Sequence, residues 1–173
     1  MIRPVSPEDG AAICSIYNHY VETTIYTFEE TPLQINEMRE RIRKISSKYP
    51  YLVYEDELGE INGYTYINTW KERSAYRFSA ELSIFVRDYY RGRGIGRKLM
   101  ERLLEEIDKT EINKTDIHSL VSGIVLPNDP SVALHEKFGF VKIGQFREIG
   151  KKFDKWLDVG YWELILNKNE IHE

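Results

Sequence analysis

The most regular pattern of polar and apolar positions in the sequence is an alternation over residues 76–86, YRFSAELSIFV. Every even position carries an apolar or aromatic side chain, whereas most odd positions are polar. Because successive side chains of a β-strand point to opposite faces, this alternation predicts a strand. Glu81 lies on its polar face between Ser79 and Ser83, and Phe85 on the same face indicates partial burial.

Weaker patterns predict helices and strands before this segment. Ser6 can cap a first helix that has Pro7 in its first turn, and apolar residues spaced three or four apart predict a second helix. Two runs rich in aromatic and β-branched residues flank the turn sequence ELGE and predict a hairpin. The predicted elements are a strand at residues 2–5, helices at Pro7–Tyr20 and Leu33–Ser47, and strands at Tyr51–Tyr54 and Ile61–Asn68.

A short helix is predicted within NDPSVALHEKFG, residues 128–139. Asp129 can cap its start, and the glycine near the end of the segment can terminate it. Leu134 and Phe138 are four residues apart and are expected to anchor the helix in the core. His135 falls on a different side of the helix.

Positive charge is concentrated in the sequence RDYYRGRGIGRK, residues 87–98, which has five basic side chains and one acidic side chain. The whole chain, in contrast, has a formal net charge of -4 at pH 7. Binding along a nucleic-acid backbone usually needs a broad basic face, which this overall charge disfavours. The local charge predicts a compact, polyanionic small molecule as the ligand.

Glycines at alternate positions make this basic loop suitable for phosphate. The apolar stripe of LMERLLEEI, residues 99–107, predicts that the loop opens a helix. The first amide groups and the macrodipole of a helix attract anions. Gly92, Gly94 and Gly96 lack Cβ atoms, which lets these amides approach a phosphate closely. We therefore predict a pyrophosphate-binding loop.

The spacing of the glycines argues against two common nucleotide-binding loops. A P-loop needs lysine and then serine or threonine after its last glycine, but Gly96 is followed by Arg97 and Lys98. A dinucleotide fingerprint needs two residues between its second and third glycines, whereas only Ile95 separates Gly94 from Gly96.

Length and composition limit the remaining possibilities. A chain of 173 residues with 42% hydrophobic residues fits one globular domain, which we expect over residues 1–167 with a polar tail at 168–173. The sequence has no apolar stretch of membrane-spanning length and no apolar signal region, so a cytoplasmic location is expected. Cys14 has no second cysteine to pair with and is expected to be buried filler. The four histidines lack metal-ligand spacing, so no metal site is expected.

The segment Arg91–Gly96 matches the pattern Arg/Gln-x-x-Gly-x-Gly/Ala, which resembles the pyrophosphate-binding motif of the GNAT superfamily of N-acetyltransferases. Within that superfamily the chain is similar to the phosphinothricin acetyltransferase family. The similar stretches are spread along nearly the whole chain: IYNHY (16–20), TFEE (27–30), RSAYRF (73–78), LPNDPSVALHEKFGF (126–140) and KWLDVGYW (155–162). The resemblance implies an α+β GNAT fold, with a mixed and mostly antiparallel central sheet flanked by helices.

The resemblance also implies a reaction. Acetyl-CoA would be the co-substrate, and the acceptor would be the α-amino group of a small amino acid analogue such as phosphinothricin, methionine sulfoximine or methionine sulfone. The implied acetyl-CoA-binding residues are Ile84, Phe85, Val86, Arg91, Gly92, Arg93, Gly94, Ile95, Gly96, Arg97, Asn128 and Ser131.

Acetyl transfer to an amine requires a base, because an amine with a pKa of about 10.4 is almost wholly protonated at pH 7. Glu81 can take that proton directly or through a water. A neutral His135 can share this work or protonate the leaving thiolate. The resemblance suggests that backbone amides at residues 84–86, where the strand is expected to part from its neighbour, stabilise the tetrahedral intermediate.

The resemblance places the acceptor pocket elsewhere in the chain. An arginine there could hold a carboxylate or phosphinate through two parallel hydrogen bonds. The chain departs from the family at residues 150–156, GKKFDKW, near the expected acceptor side, and has a longer connection at residues 111–118. The implied acceptor-binding residues are Phe28, Glu29, Arg73, Ser74, Ala75, Tyr76 and Arg77.

Other functions stay open at this point. Acetylation of a protein N-terminus or of a polyamine has no dedicated sequence signal, and a non-catalytic acetyl-CoA-binding module would not require Glu81 and His135. Family members are often homodimers. The aromatic residues Trp156, Tyr161 and Trp162 could supply a dimer contact or could pack within the core of their own chain.

Overall fold

The computed structural model describes residues 1–108 and 116–166. The predicted tail at 168–173 and most of the longer connection at 111–118 lie outside the described residues. The α-helices are α1 (Gly10–Thr23), α2 (Ile35–Ser46), α3 (Ile95–Asp108) and α4 (Asp129–Lys137). The strands are β1 (Ile2–Pro4), β2 (Tyr51–Glu55), β3 (Ile61–Thr69), β4 (Ser79–Val86), β5 (Ser119–Leu126), β6 (Val141–Lys152) and β7 (Lys155–Ile165).

The strands form one seven-stranded sheet in the order β1-β2-β3-β4-β5-β7-β6. Neighbouring strands are antiparallel except β4 and β5, which run parallel. One apolar cluster packs α1 and α2 on one face of the sheet, and another packs α3 and α4 on the opposite face. The predicted mixed, mostly antiparallel sheet flanked by helices is confirmed.

The alternating segment is shorter as a strand than its pattern predicted. Residues Ser74–Phe78 form a 3-10 helix, and β4 begins at Ser79. The Tyr76 backbone amide donates to the Arg73 carbonyl at 2.9 Å, so this part of the alternation belongs to a turn. Tyr76 and Phe78 are accordingly 39% and 38% exposed, not buried on a strand face. From Ser79 onward the predicted alternation holds.

Helix starts differ from the predicted ones in detail. The first helix opens with a 3-10 turn over Pro7–Asp9 before α1, and the Ser6 side chain caps that turn by accepting from the Glu8 amide. At α4 the predicted cap was wrong by one residue. Asn128, not Asp129, accepts from the Ser131 amide, because its backbone is the last one outside the helix.

Close packing of α3 against β3 depends on a residue without a side chain. A Cβ atom built on Gly63 would lie 3.0 Å from Ile95, 3.1 Å from Leu99 and 3.1 Å from the Phe85 carbonyl. Such distances require neighbouring atoms to shift. Gly63 therefore sets how closely the first turns of α3 approach the sheet, and with them the glycine loop that precedes α3.

We expect Gly63→Ala to lower the free energy of unfolding by about 1–3 kcal/mol, because the added methyl overpacks the contact with Ile95 and Leu99. Gly144→Ala is the matched control, since a Cβ atom on this strand glycine would meet nothing within 4 Å. Urea unfolding of both variants checks the expectation. Equal stability of Gly63→Ala and Gly144→Ala would contradict it.

Candidate functional site

The sheet opens between its two parallel strands. β4 and β5 pair at Ser79–Ser119, Ala80–Leu120 and Glu81–Val121, and the pairing ends there. The remainder of each strand continues without a partner on that side in the described part of the chain, although the Ser122 hydroxyl donates to the Leu82 carbonyl at 3.3 Å. We call this divergence the fork. It exposes backbone amides of β4 that a continuous sheet would have paired.

The fork leads into a cavity of about 800 Å³. Its walls come from four places: the diverging ends of β4 and β5, the basic glycine loop, the first turns of α3, and α4. Of the residues predicted from sequence to bind acetyl-CoA or to act at its thioester, the wall includes Ile84, Phe85, Val86, Arg91, Gly92, Gly94, Ile95, Gly96, Arg97, Asn128, Ser131 and His135. A volume of this size is typical of small-molecule and cofactor sites.

The glycine loop has the backbone geometry that its composition predicted. Gly92 and Gly94 have φ angles of 74° and 78°, a left-handed region that favours glycine. A Cβ atom at either position would meet nothing within 4 Å, so the loop is open to the cavity. Immediately afterwards α3 begins at Ile95, with its amino end at the same wall. This arrangement is a cradle for an anion, and the residues fit the pyrophosphate of acetyl-CoA.

Two tyrosines of the cavity wall were not predicted from the sequence. The Arg91 guanidinium lies 5.4 Å from the ring centroids of both Tyr20 and Tyr26, and it is 3.2 Å from the Asp88 carboxylate. The Tyr20 hydroxyl donates to the Val86 carbonyl at 2.6 Å. Tyr20 lies in the quoted stretch IYNHY, but only the fold brings it beside the basic loop.

Arg93 is the one predicted loop residue that lies outside the cavity wall. Its guanidinium lies 4.9 Å from the ring centroids of Tyr89 and Tyr90. Arg91 in the loop and Arg97 at the start of α3 are therefore the arginines best placed to contact a ligand in the cavity.

His135 is buried, with only 2% of its surface exposed, although its helix lies at the surface. Its Nδ1 atom lies 2.7 Å from the Ser131 carbonyl, which fixes the proton on Nδ1. Its Nε2 atom is buried and has no hydrogen-bond partner among the described residues. The ring packs edge-on against Phe140. Burial lowers the pKa of His135, so the imidazole is neutral near pH 7.

Glu81 stands at the base of the fork, on the face of the sheet that carries α1 and α2. It is opposite Asn68 on β3 and opposite Val121 on β5. Burial raises the pKa of its carboxyl above the ordinary range. The same carboxylate contributes, after burial, to the raised pKa of Tyr161 on β7.

Gly123 separates the Glu81 carboxylate from the cavity. A Cβ atom on this glycine would lie 3.8 Å from Oε1 of Glu81 and 3.3 Å from the Tyr161 ring. Gly123 itself is exposed in the cavity wall. Gly123 therefore lies between the cavity and the carboxylate, and its lack of a side chain lets Glu81 and the Tyr161 ring approach its backbone closely. A lone glycine within a strand, as in SLVSGIVL, is the sequence signal that indicates such a close approach.

None of the predicted acceptor-binding residues lines the cavity. They form two groups. Phe28 and Glu29 belong to the connection between α1 and α2, where Arg41 pairs with Glu29 at 2.7 Å. Residues 73–77 form the exposed turn before β4, and there the Arg77 guanidinium lies 4.0 Å from the centroid of the Phe78 ring. Trp70, which directly follows β3, has its ring centroid 5.8 Å from that of Tyr161.

Within residues 1–108 and 116–166, no group of three or more His, Cys, Asp or Glu side chains is arranged to hold a metal ion. No helix in the same residues is long and apolar enough to cross a membrane. Cys14 is buried, and burial raises the pKa of its thiol.

Comparison with known proteins gives consistent matches along the chain. A family model described as "Acetyltransferase (GNAT) domain" matches residues 2–160. The chain is 37% identical to phosphinothricin N-acetyltransferase of Streptomyces viridochromogenes over 94% of this chain and 85% of that protein. It is 33% identical to an L-methionine sulfoximine/L-methionine sulfone acetyltransferase of Pseudomonas paraeruginosa, over 96% of this chain and 94% of that one.

A solved structure shows the same architecture. The GNAT superfamily phosphinothricin acetyltransferase from Sinorhizobium meliloti, in complex with acetyl-CoA, superimposes with a TM-score of 0.91 at 31% identity. The match covers 100% of this chain and 91% of that chain. The family resemblance inferred from the sequence motifs is therefore confirmed by whole-chain similarity in sequence and in structure.

We expect Gly94→Asp to lower CoA affinity at least about tenfold, because a carboxylate would stand where the cradle receives a pyrophosphate. The measurement is the rise in Tm with CoA concentration, which follows the affinity for the native state. Gly59→Asp is the matched control, since Gly59 has a similar φ of 80° in the β2–β3 turn, with nothing within 4 Å of a Cβ atom.

Both substitutions carry the same backbone strain and the same added charge. A CoA-induced rise in Tm that is lost in Gly94→Asp and kept in Gly59→Asp would place the pyrophosphate at the loop. An equal CoA effect in both variants would exclude the loop as the binding site.

Proposed function

This chain belongs to the GNAT family of acetyltransferases, and on that basis we propose that Glu81 is the base in acetyl transfer from acetyl-CoA to the α-amino group of a small amino acid analogue. Acetyl-CoA is the co-substrate of the chain. The observation that carries the proposal is the position of Glu81 at the base of the fork, where β4 and β5 part and the cavity begins.

The fork supports the proposal through its backbone. Residues 84–86 of β4 line the cavity beyond the last β4–β5 pair, and those of their backbone amides that do not point toward β3 are available as hydrogen-bond donors. Donors fixed by a strand need no reorganisation when negative charge develops, which is the requirement for stabilising an acyl-transfer transition state. We assign the pantetheine arm and thioester to this edge and the pyrophosphate to the glycine loop.

Glu81 has the properties of a proton acceptor for an incoming amine. Its carboxyl is partly buried, which raises its pKa and makes the carboxylate a stronger base than an exposed one. The residue between it and the cavity is Gly123, which has no side chain to stand in the way. A base in this position would remove a proton from the amine directly or through one water, as the amine attacks the thioester.

Of the two roles expected of His135, its geometry fits proton acceptance and not proton donation. Its Nδ1 proton is engaged by the Ser131 carbonyl, and its neutral Nε2 atom offers a lone pair with no proton to donate. A neutral imidazole in this state accepts a hydrogen bond and does not protonate a thiolate. We propose that His135 orients the neighbouring wall of the cavity and that Glu81 carries the proton transfer.

The proposed acceptor follows from the relatives' names and from the aromatic surroundings of Glu81. Relatives at 33–37% identity are named for phosphinothricin, methionine sulfoximine and methionine sulfone. Tyr161, Trp70 and Phe146 form a group of aromatic rings on the acceptor side of Glu81, and such a group suits a small, partly apolar side chain. Acceptor contacts by Phe28, Glu29 and residues 73–77 are part of this proposal.

We expect the purified protein to release thiol from acetyl-CoA in the presence of L-methionine sulfoximine or phosphinothricin. Glu81→Gln keeps the size of the side chain and removes its basicity, so kcat should fall by about 100-fold or more. CoA affinity, measured by the rise in Tm, should barely change. Thiol release is followed at saturating acetyl-CoA over a range of pH.

The pH profile distinguishes a base from a binding group. Glu81 must be deprotonated to act, so the rate should fall as the pH drops through its raised pKa. That acidic limb of kcat should shift or disappear in Glu81→Gln. Near-normal turnover of Glu81→Gln together with inactive His135→Ala would assign the base to His135 instead. If thiol is released only with an N-terminal peptide or a polyamine, the acceptor is that amine and not an amino acid analogue. CoA binding without any thiol release would indicate a non-catalytic module.

We also propose that the protein is a cytoplasmic homodimer. The position of β6 at the edge of the sheet is the observation that favours dimer formation. β6 is the last strand of the sheet, and an exposed edge strand invites pairing. Of the three aromatic residues considered from sequence, Trp162 is 2% exposed and belongs to the core of its own chain, whereas Trp156 is 61% exposed. The large apolar residues of this hairpin that are more than half exposed are Val141, Ile143, Phe146, Ile149, Phe153 and Trp156.

We expect light scattering to give twice the 20.5 kDa chain mass at micromolar concentration. The double variant Ile143→Glu and Ile149→Glu should shift the mass toward one chain, because two carboxylates would oppose apolar contact at the β6 edge. Leu58→Glu is the control, as Leu58 is an 86% exposed apolar residue in the β2–β3 turn. A single-chain mass for the unaltered protein would contradict the dimer.

A further inference from the structure

Lys152 is a buried lysine in an otherwise exposed strand. Only 2% of its surface is exposed, although β6 is exposed along most of its length. Its Nζ atom donates to the Thr27 carbonyl at 2.8 Å, across 125 positions of sequence. Burying an ammonium is costly unless it is paired or hydrogen-bonded. The contact with Thr27 is therefore a specific feature of the fold.

A second contact joins the same two segments. A Cβ atom on Gly150 would lie 2.3 Å from the Phe28 ring, so that ring rests directly on the Gly150 backbone. Gly150 and Lys152 together hold Thr27 and Phe28 against the β6–β7 hairpin. We call residues 27–29 the clasp segment.

The helices hold the clasp segment from the other side. The Tyr17 hydroxyl on α1 and the Thr27 hydroxyl are hydrogen-bonded at 2.9 Å. Arg41 on α2 pairs with Glu29 at 2.7 Å. Contacts from α1, α2 and the β6–β7 hairpin therefore hold residues 27–29 in place, and Lys152 provides a contact from the hairpin.

The clasp segment and Glu81 share neighbours on one face of the sheet. Burial raises the pKa of Tyr66 to about 12, and the Tyr17 hydroxyl and the Glu81 carboxylate add smaller contributions in the same direction. Tyr66 and Glu81 lie on the same face of the sheet, since Tyr66 pairs with Ser83, two residues along β4. A chain of neighbours thus runs from Thr27 through Tyr17 and Tyr66 to the carboxylate.

We propose that Lys152 is a positioning residue for acceptor binding, which holds the clasp segment, and with it Phe28 and Glu29, in place on the acceptor side of Glu81. This inference rests on the acetyltransferase function proposed above. An apolar side chain at 152 would leave the Thr27 carbonyl without its donor, so the position of the segment would no longer be fixed. The ammonium acts on the acceptor through the segment and has no part in the proton transfer.

The kinetic test compares two neighbouring lysines. Lys152→Met keeps the length of the side chain and removes the donor, and we expect it to raise the KM for L-methionine sulfoximine at least about tenfold. The kcat and the CoA-induced rise in Tm should stay close to those of the unaltered protein. Lys151→Met is the matched control, because Lys151 is exposed and contacts only Asp154 among the contacts described for it.

Two further measurements separate positioning from general stability. Gly150→Ala should displace the Phe28 ring and raise the same KM without touching Lys152. Hydrogen exchange of the peptide that covers residues 24–33 should speed up in Lys152→Met and not in Lys151→Met. The exchange experiment needs no substrate, so it tests the clasp even if no acceptor is turned over.

Each outcome has one meaning. A lower Tm with unchanged KM and unchanged exchange in residues 24–33 would make Lys152 a structural residue and overturn the inference. Failure of the unaltered protein to acetylate any amine would count against the proposed function, while faster exchange in Lys152→Met would still show that the clasp depends on the ammonium. A raised KM for acetyl-CoA in place of the acceptor would also overturn the inference.

Discussion

The separation of β4 from β5 after Glu81 and Val121 is the constraint on which the rest of the site depends. Parallel strands satisfy each other's backbone groups along their length, and the loss of that pairing leaves β4 with free donors beside a cavity. The strand remains in place because β3 pairs with it along its whole length on the other side. One edge of β4 is thus structural, and the other is available for chemistry.

The cavity joins two kinds of electrostatic environment. At its outer end, positive φ angles at Gly92 and Gly94 and the start of α3 present backbone amides and basic side chains to an anion. Elsewhere in the wall, burial lowers the pKa of His135 and keeps its imidazole neutral, and beyond Gly123 burial raises the pKa of Glu81. A long co-substrate with charged and uncharged ends matches this division.

The proposed acceptor side is built from contacts between distant parts of the chain. The α1–α2 connection lies against the β6–β7 hairpin through Lys152 and Gly150, while Tyr17 and Arg41 hold it from the helices. The hairpin also carries the exposed apolar edge proposed to form a dimer. Dimer formation and acceptor binding, as proposed, would therefore share one structural element.

The sequence by itself determined the elements whose signals are local. Alternation identified the face of β4 that bears Glu81, and glycine spacing with basic charge identified the loop, because strand period and backbone freedom depend on neighbouring residues. Tertiary structure decided where the strand begins, since Tyr76 lies in a turn, and it decided that His135 is buried. It alone brought Tyr20, Gly123 and Lys152 to the site, because their contacts lie far apart in sequence and no local pattern specifies them.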